Sequence, residues 1–147
     1  QTSQPVAVSS INAVIIDEAG DHQALMVDRD FDSTWRNIGR IVDSKYFIVQ
    51  DRERDHGVYF VQYLDPFLIA KQSDPSMLGK LAFWRDEMDT SPEMFLYIKL
   101  ATDADETKVI ILDIDQVRTS SPSAKRLLRL IQEELPRSAA AVEVMQP

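Results

Sequence analysis

The alternation of apolar and polar positions divides this chain into strand, helix and hairpin segments. Residues 24–66 read ALMVDRDFDSTWRNIGRIVDSKYFIVQDRERDHGVYFVQYLDP, which predicts strand, helix, strand, turn and strand. The apolar positions of the helical part share one face of a 3.6-residue period and are Phe31, Trp35, Ile38 and Val42. This stretch is the firmest local prediction that the sequence allows.

Individual residues also indicate where this helix begins and ends and where it approaches a sheet. Asp30 or Asp32 can cap its first turn, because either carboxylate can accept a hydrogen bond from an unpaired backbone N–H. We expect the helix to end near Ser44. Gly39 weakens it by about 1 kcal/mol relative to alanine. Close approach of the helix to a sheet is the expected reason for the glycine.

Three hairpins are predicted around turn-forming residues. Residues 11–17 and 22–27 form the first, with a turn at Gly20. Residues 47–52 and 58–63 form the second around Asp55, His56 and Gly57, and Pro66 follows it. Residues 94–100 and 109–114 form the third across a turn at 102–107. Residues 67–71 are expected to form one helical turn.

Alternation in the third hairpin divides its side chains between two faces. We expect one face to carry Leu96, Ile98, Leu100, Ile110, Leu112 and Ile114. The other face is expected to carry Phe95, Tyr97, Lys99, Val109, Ile111 and Asp113. A last helix begins after Ser121 with proline at its first position, and Pro136 is expected to end it.

The order of these elements predicts an α+β fold. Hairpin connections favour an antiparallel sheet, here of five to six strands, with two helices on one face. We expect a flexible arm at 1–10, one domain at 11–137 and a flexible tail at 138–147. Within the domain, residues 72–93 lack periodicity and are predicted to form a long loop.

Composition and charge narrow the classes of function. The chain of 147 residues has a net charge of −8, so its surface repels nucleic acid phosphates. No apolar run approaches the roughly 20 residues that span a bilayer. The chain has no cysteine and begins without methionine. We therefore expect a mature or trimmed fragment whose targeting signal or lipid-bearing cysteine would lie upstream.

No combination of residues predicts catalysis or a cofactor. His22 and His56 have no partner motif nearby, and exposed loop positions are expected for both. The acidic residues at 103–106 lack the glycine and the distal glutamate of a calcium loop, so a solvated turn is expected there. The four glycines are scattered and form no phosphate-binding loop. We predict that the chain is not an enzyme and uses no cofactor.

Aromatic residues are the best candidates for a binding surface. Phe95 and Tyr97 are expected to face away from the strongly apolar side of the sheet, and Tyr59 and Tyr63 can join them. Phe83 and Trp84, in the long loop, are added to the same tentative partner-binding set. Exposed aromatic rings serve as protein-binding patches because they bury a large area at low entropic cost. The structural alternative is that the long loop or the N-terminal arm covers these rings.

Several motifs resemble one family, the BamC (NlpB-type) lipoproteins of bacterial outer-membrane protein assembly. They are DFDSTW at 30–35, VQDRERDHG at 49–57 and VYFVQYLDP at 58–66. GKLAFW at 79–84 resembles a loop that some members carry, and VIILDIDQ with LLRLI fits the family's terminal strand and helix. The resemblance covers residues 24–137.

The resemblance implies a helix-grip fold and an accessory role without enzymatic activity. Members are lipid-anchored at the outer membrane, with soluble domains in the periplasm or at the cell surface, and associate with other assembly proteins. In better-known members, a lipidated N-terminal segment contacts a partner lipoprotein and two helix-grip domains follow. This chain resembles the C-terminal one. A helix-grip protein that binds a small molecule or a lipid is the alternative function, and an unrelated periplasmic or cytosolic domain of similar topology is a third.

Overall fold

The computed structural model describes residues 11–73 and 93–145. In chain order its strands are β1 (Ala13–Glu18), β2 (His22–Val27), β3 (Phe47–Glu53), β4 (Val58–Leu64), β5 (Glu93–Asp103) and β6 (Glu106–Leu112). The helices of the described part are α1 (Phe31–Val42), α2 (Pro66–Ser73) and α3 (Pro122–Met145). Short 3-10 turns occupy Ala19–Asp21 and Arg54–His56.

The six strands form one sheet in the order β1-β2-β6-β5-β4-β3. All neighbouring strands are antiparallel, which confirms the predicted α+β class. Glycines permit two of the hairpin connections. Gly20 has φ +78° and Gly57 has φ +67°, a region that residues with a Cβ rarely adopt. A Cβ at Gly57 would also lie 2.5 Å from the backbone oxygen of Leu100.

Helices α1 and α3 pack beside one another on one face of the sheet. We call this side the covered face and the opposite side the open face. The side chains buried between helices and sheet include Leu25, Val27, Ile38, Val42, Tyr59, Val61, Tyr63, Leu96, Ile98, Ile111, Leu127, Ile131 and Leu135. Their bulk fills the space between the layers, as expected for a close-packed interior.

The structure shows which aspartate caps α1 and why a glycine lies inside this helix. Asp30 is its cap, because Asp30 Oδ1 accepts a hydrogen bond from the backbone N–H of Ser33 at 2.9 Å. Gly39 lies against the sheet, and a Cβ there would sit 2.8 Å from the hydroxyl oxygen of Tyr59. The predicted close approach of helix and sheet is therefore confirmed at this position.

The end of α3 differs from the expectation. Ser121 caps the helix by accepting from the backbone N–H of Ala124 at 3.1 Å, but the helix continues through Pro136 to Met145. Proline removes one helical hydrogen bond, yet its fixed φ remains compatible with a helix. Leu135, which is fully buried, holds the chain against the core immediately before that proline.

The faces predicted for β6 are wrong. Leu100 pairs with Val109, so Val109 and Ile111 lie on the covered face, while Ile110 and Leu112 lie on the open face. The strands extend to a two-residue turn between Asp103 and Glu106, where Ala104 adopts φ +58°. Because side chains alternate with a period of two, a change of one residue in register reverses every side chain of a strand.

Candidate functional site

Two of the predicted partner-binding residues lie in the core. Tyr59 and Tyr63 are each only 1% exposed, so the expectation that they join the open face is wrong. Alternate residues of β4 face the helices, and both tyrosines belong to that set. Tyr59 stacks on Trp35 with 4.0 Å between ring centroids, and its hydroxyl donates to the backbone oxygen of Trp35 at 2.8 Å. This bond satisfies the one polar group of the buried ring.

Burial also raises the pKa of these two phenols, so they stay protonated over a wider pH range. It raises the pKa of Tyr59 to about 12, and it raises the pKa of Tyr63 further above the usual value. Tyr63 packs against Phe47, with 5.4 Å between ring centroids. Both tyrosines are therefore neutral core residues at physiological pH.

The open face carries a different group of rings, which we call the aromatic patch: Phe60, Phe95 and Tyr97. Phe60 and Tyr97 stack with 4.5 Å between centroids, and Phe60 and Phe95 are 6.0 Å apart. Phe95 is 43% exposed. Phe60 was missed by the sequence analysis, although its position next to Tyr59 on a strand places it on the opposite face from that tyrosine. The other two predicted residues, Phe83 and Trp84, lie outside the described residues.

Acidic side chains lie beside the aromatic patch because β3 contains a bulge. The register of β3 against β4 shifts between Val49 and Asp51, which leaves Gln50 as an extra residue. Beyond the bulge, Asp51 is opposite Phe60 and Glu53 is opposite Val58. Without the extra residue, alternation would turn both carboxylates to the covered face.

These rows of side chains line a cleft of about 320 Å³ on the open face. Its lining residues, which we call the acidic-aromatic cleft, are Asp51, Glu53, His56, Val58, Phe60, Tyr97, Lys99, Leu112 and Gln116. Phe60 is paired with Tyr97, and Tyr97 with Leu112, so these three form one continuous row across the sheet. Gln116 comes from the loop after β6, where it adopts φ +64°.

The charges around this cleft are partly paired. Glu53 contacts His56, with 3.1 Å from Oε1 to Nδ1. The carboxylate of Asp51 accepts from the backbone N–H of Arg52 at 2.9 Å. Within the described part of the chain, the structure shows no ion pair for Asp51.

A second polar cluster joins β4, α2 and α3 and has a structural explanation. Asp65 is 1% exposed, and its Oδ2 accepts from the Ser123 hydroxyl at 2.9 Å and from Arg126 Nη2 at 2.7 Å. Its Oδ1 accepts from the backbone N–H of Phe67 at 3.0 Å, at the start of α2. Each carboxylate oxygen is therefore used to hold neighbouring elements together.

The described residues form neither a metal site nor a membrane-spanning helix. Between 11 and 73 and between 93 and 145, no three histidine, aspartate or glutamate side chains converge to hold a metal ion. Of the described helices, none has both the length and the apolar character needed to cross a bilayer.

Comparison with known proteins identifies relatives of this chain. Residues 13–135 match the family model described as "Outer membrane protein assembly factor BamC-like C-terminal domain". An outer membrane protein assembly factor BamC of Thiobacillus denitrificans is 34% identical over 125 residues, which is 84% of this chain and 34% of that protein. Another of the same name, from Accumulibacter regalis, is 32% identical over 111 residues, which is 76% of this chain and 29% of that protein.

The chain thus spans about a third of the length of these curated relatives. The matched region runs from the first residue of β1 to a position one residue before Pro136 in α3. It includes the whole sheet and with it both the covered face and the open face. By this match over most of its length, the chain belongs to the family of BamC-like C-terminal domains.

Proposed function

We propose that this chain is a non-enzymatic module of outer-membrane protein assembly that binds another protein through the open face of its sheet. Its family membership and the names of its two relatives support the process. The aromatic patch supports the mode of action. The predicted partners are other outer-membrane assembly proteins, and the predicted location is the outer membrane, reached through a lipid anchor upstream of this chain.

The aromatic patch is the observation that carries this proposal. Phe95 is 43% exposed, whereas Leu96, Ile98 and Leu100, which face the other way on the same strand, are buried. Phe60 and Tyr97 extend the patch across the neighbouring strands β4 and β5. Aromatic rings are enriched at protein interfaces, where they bury large areas and lose few rotamers. A cluster of such rings that is only partly buried therefore favours a protein partner.

The covered face argues against the alternative of a lipid or small-molecule carrier. Such a carrier needs an open space between the sheet and its helices. Here bulky side chains such as Ile98, Leu127 and Ile131 are fully or almost fully buried in that position. The net charge of −8 also disfavours anionic lipid surfaces and nucleic acids as partners.

The test is affinity purification of the full-length, natively processed protein from detergent-solubilised membranes. The double variant Phe95→Ser with Tyr97→Ser removes two rings of the patch. Val14→Ser serves as the matched control for the aromatic patch: Val14 is 57% exposed on the same open face, but it lies on the edge strand β1, three strands away from β5. We expect the wild type and the control to recover outer-membrane assembly proteins. The double variant should recover about tenfold less of them.

Equal recovery by the double variant and the wild type would contradict the role of the open face. If the wild type itself recovers no assembly protein, the proposed process is wrong. In that case, an apolar ligand library should be screened for compounds that raise the melting temperature, since a ligand that binds only the folded state stabilises it.

A further inference from the structure

The acidic-aromatic cleft combines two features that recognise the same chemical group. Its floor contains the stacked rings of Phe60 and Tyr97, with 4.5 Å between their centroids. Its rim contains the carboxylate of Asp51, which is directly opposite Phe60 in the strand register. Directly opposite residues on one face of an antiparallel pair have Cβ atoms about 5 Å apart. A carboxylate and an aromatic face are therefore available side by side.

A guanidinium group fits this combination of surfaces. It is planar, so it can stack on an aromatic ring, and its N–H donors match the two oxygens of a carboxylate. A lysine ammonium is more strongly hydrated and lacks the bidentate geometry. An aliphatic side chain would use the rings but would leave the carboxylate to lose water without compensation.

The charges of the cleft favour a cation over an anion. Asp51 and Glu53 contribute two carboxylates, Lys99 contributes one ammonium, and His56 already contacts Glu53. The bulge at Gln50 brings both carboxylates to this side of the sheet. The chain as a whole carries a net charge of −8, which attracts basic partners at longer range.

We infer that the acidic-aromatic cleft binds an arginine side chain of the partner protein, with the guanidinium paired with Asp51 and stacked on the side of the Phe60 ring that faces away from Tyr97. The inference rests on the proposed function for the partner being a protein. It adds the chemical class of the group that enters the cleft. Glu53 lies two residues further along β3, on the same face, and provides a second carboxylate near the guanidinium.

The test uses the 147-residue chain and capped pentapeptides, with binding followed by NMR chemical shifts. The probe is Gly-Gly-Arg-Gly-Gly, compared with peptides that carry lysine, citrulline or glutamate at the central position. We expect the arginine peptide to shift the amide signals of Phe60 and Tyr97. Citrulline has a similar shape but no charge, and its peptide should bind about tenfold more weakly.

A pair of charge variants locates the contact on the protein. Asp51→Asn should weaken binding of the arginine peptide about tenfold. Asp55→Asn removes the same charge from the exposed tip of the same hairpin and should leave binding unchanged. Thermal unfolding of both variants checks that they remain folded. The comparison of arginine with citrulline gives an answer without any change to the protein.

Three outcomes would overturn the inference: equal binding of the arginine and citrulline peptides, tighter binding of the glutamate peptide, or no arginine binding at the cleft.

Affinity purification with the same variants distinguishes failure of this inference from failure of the proposed function. If Asp51→Asn still recovers assembly proteins while the Phe95 and Tyr97 double variant does not, the open face binds its partner without the arginine contact. If neither change affects recovery, the open face itself is not the interface.

Discussion

The two faces of this sheet present similar side chains in opposite roles. On β4, Tyr59 points to the covered face and is 1% exposed, whereas its neighbour Phe60 points to the open face. On β5, Ile98 is fully buried, and Tyr97 beside it is only half-buried. The packing of α1 and α3 decides which rings become core and which remain available to a partner.

The faces also differ in how they treat polar groups. On the covered face, the Tyr59 hydroxyl has a backbone acceptor on α1, and Asp65 has partners on both carboxylate oxygens. On the open face, the carboxylate of Asp51 remains exposed beside the aromatic patch. Most buried polar groups are hydrogen-bonded because an unpaired one is costly, while exposed groups remain available for recognition. Substitutions on the two faces should therefore have different consequences.

The largest expected loss of stability comes from a substitution on the covered face. Tyr63→Ser should lower the free energy of unfolding by about 4 kcal/mol, because it empties a fully buried ring site. Tyr97→Ser should lower it by about 1 kcal/mol, because the ring is half-buried. Urea denaturation of both variants measures the difference. Equal losses of stability would show that the two faces are not distinct.

Removal of the buried carboxylate of Asp65 should cause the second largest loss of stability. Asp65→Ala leaves Arg126 without its partner and removes a bond at the start of α2. We expect a loss of about 3 kcal/mol, toward the lower end for a broken buried pair, because the Arg126 side chain is 30% exposed. Denaturant unfolding measures it. A loss of less than about 1 kcal/mol, which is typical of an exposed salt bridge, would contradict the structural role of this cluster.

The contact between α1 and the covered face can be tested with a double-mutant cycle. Gly39→Ala should cost about 1–2 kcal/mol, since its Cβ would lie 2.8 Å from the Tyr59 hydroxyl oxygen. In a Tyr59→Phe background this oxygen is absent, and the same change should become neutral or stabilising because alanine favours a helix. The coupling energy from thermal or urea unfolding measures the contact. Purely additive effects would refute it.

The smallest expected effect concerns a charged cluster on the open side of β1 and β6. The Lys108 ammonium, which donates to Glu18, holds the pKa of that carboxyl below its usual value of 4.5, and Arg118 Nη2 lies 2.9 Å from Glu18 Oε1. A lowered pKa in the folded state stabilises the protein above pH 4.5, and this contribution is lost as the pH falls. Glu18→Gln should therefore cost less than about 1 kcal/mol at pH 7.

The pH dependence of that variant provides its own control. The difference in unfolding free energy between wild type and Glu18→Gln should shrink as the pH is lowered below 4.5, because the carboxyl is protonated first in the unfolded state and, at still lower pH, in the folded state as well. Urea unfolding of the wild type and of Glu18→Gln, at neutral and at acidic pH, measures this difference. If the difference in unfolding free energy instead grows toward low pH, Lys108 does not stabilise the ionised carboxyl of Glu18.

Much of the local structure could be predicted from the sequence. The periodicity from Phe31 to Val42 matches the observed bounds of α1, and β2 begins and ends where it was predicted. The turn predicted at Gly20 is present, and this residue adopts φ +78°, where glycine avoids the steric penalty of a Cβ. These features depend on contacts within a few residues, so they are visible in a single sequence. The family resemblance, which is confirmed, rests on the same local patterns.

The candidate site was predicted only in part, because it depends on which face of the sheet the helices cover. Phe95 and Tyr97 lie on the open face, but Tyr59 and Tyr63 do not, and Phe60 takes their place. All five positions are occupied by phenylalanine or tyrosine, so residue type does not tell them apart. Only the packing of α1 and α3 distinguishes them.

The sequence by itself therefore determined the type and order of the described elements and the class of the fold, though not the end of α3, because hydrophobic periodicity and turn residues act over short distances. The tertiary structure decided how these elements face one another. Pairing of Leu100 with Val109 set the faces of β6, and the bulge at Gln50 brought Asp51 to the aromatic patch. Register and bulges arise from contacts between separate strands, and a shift of one residue reverses a face without any change in local pattern.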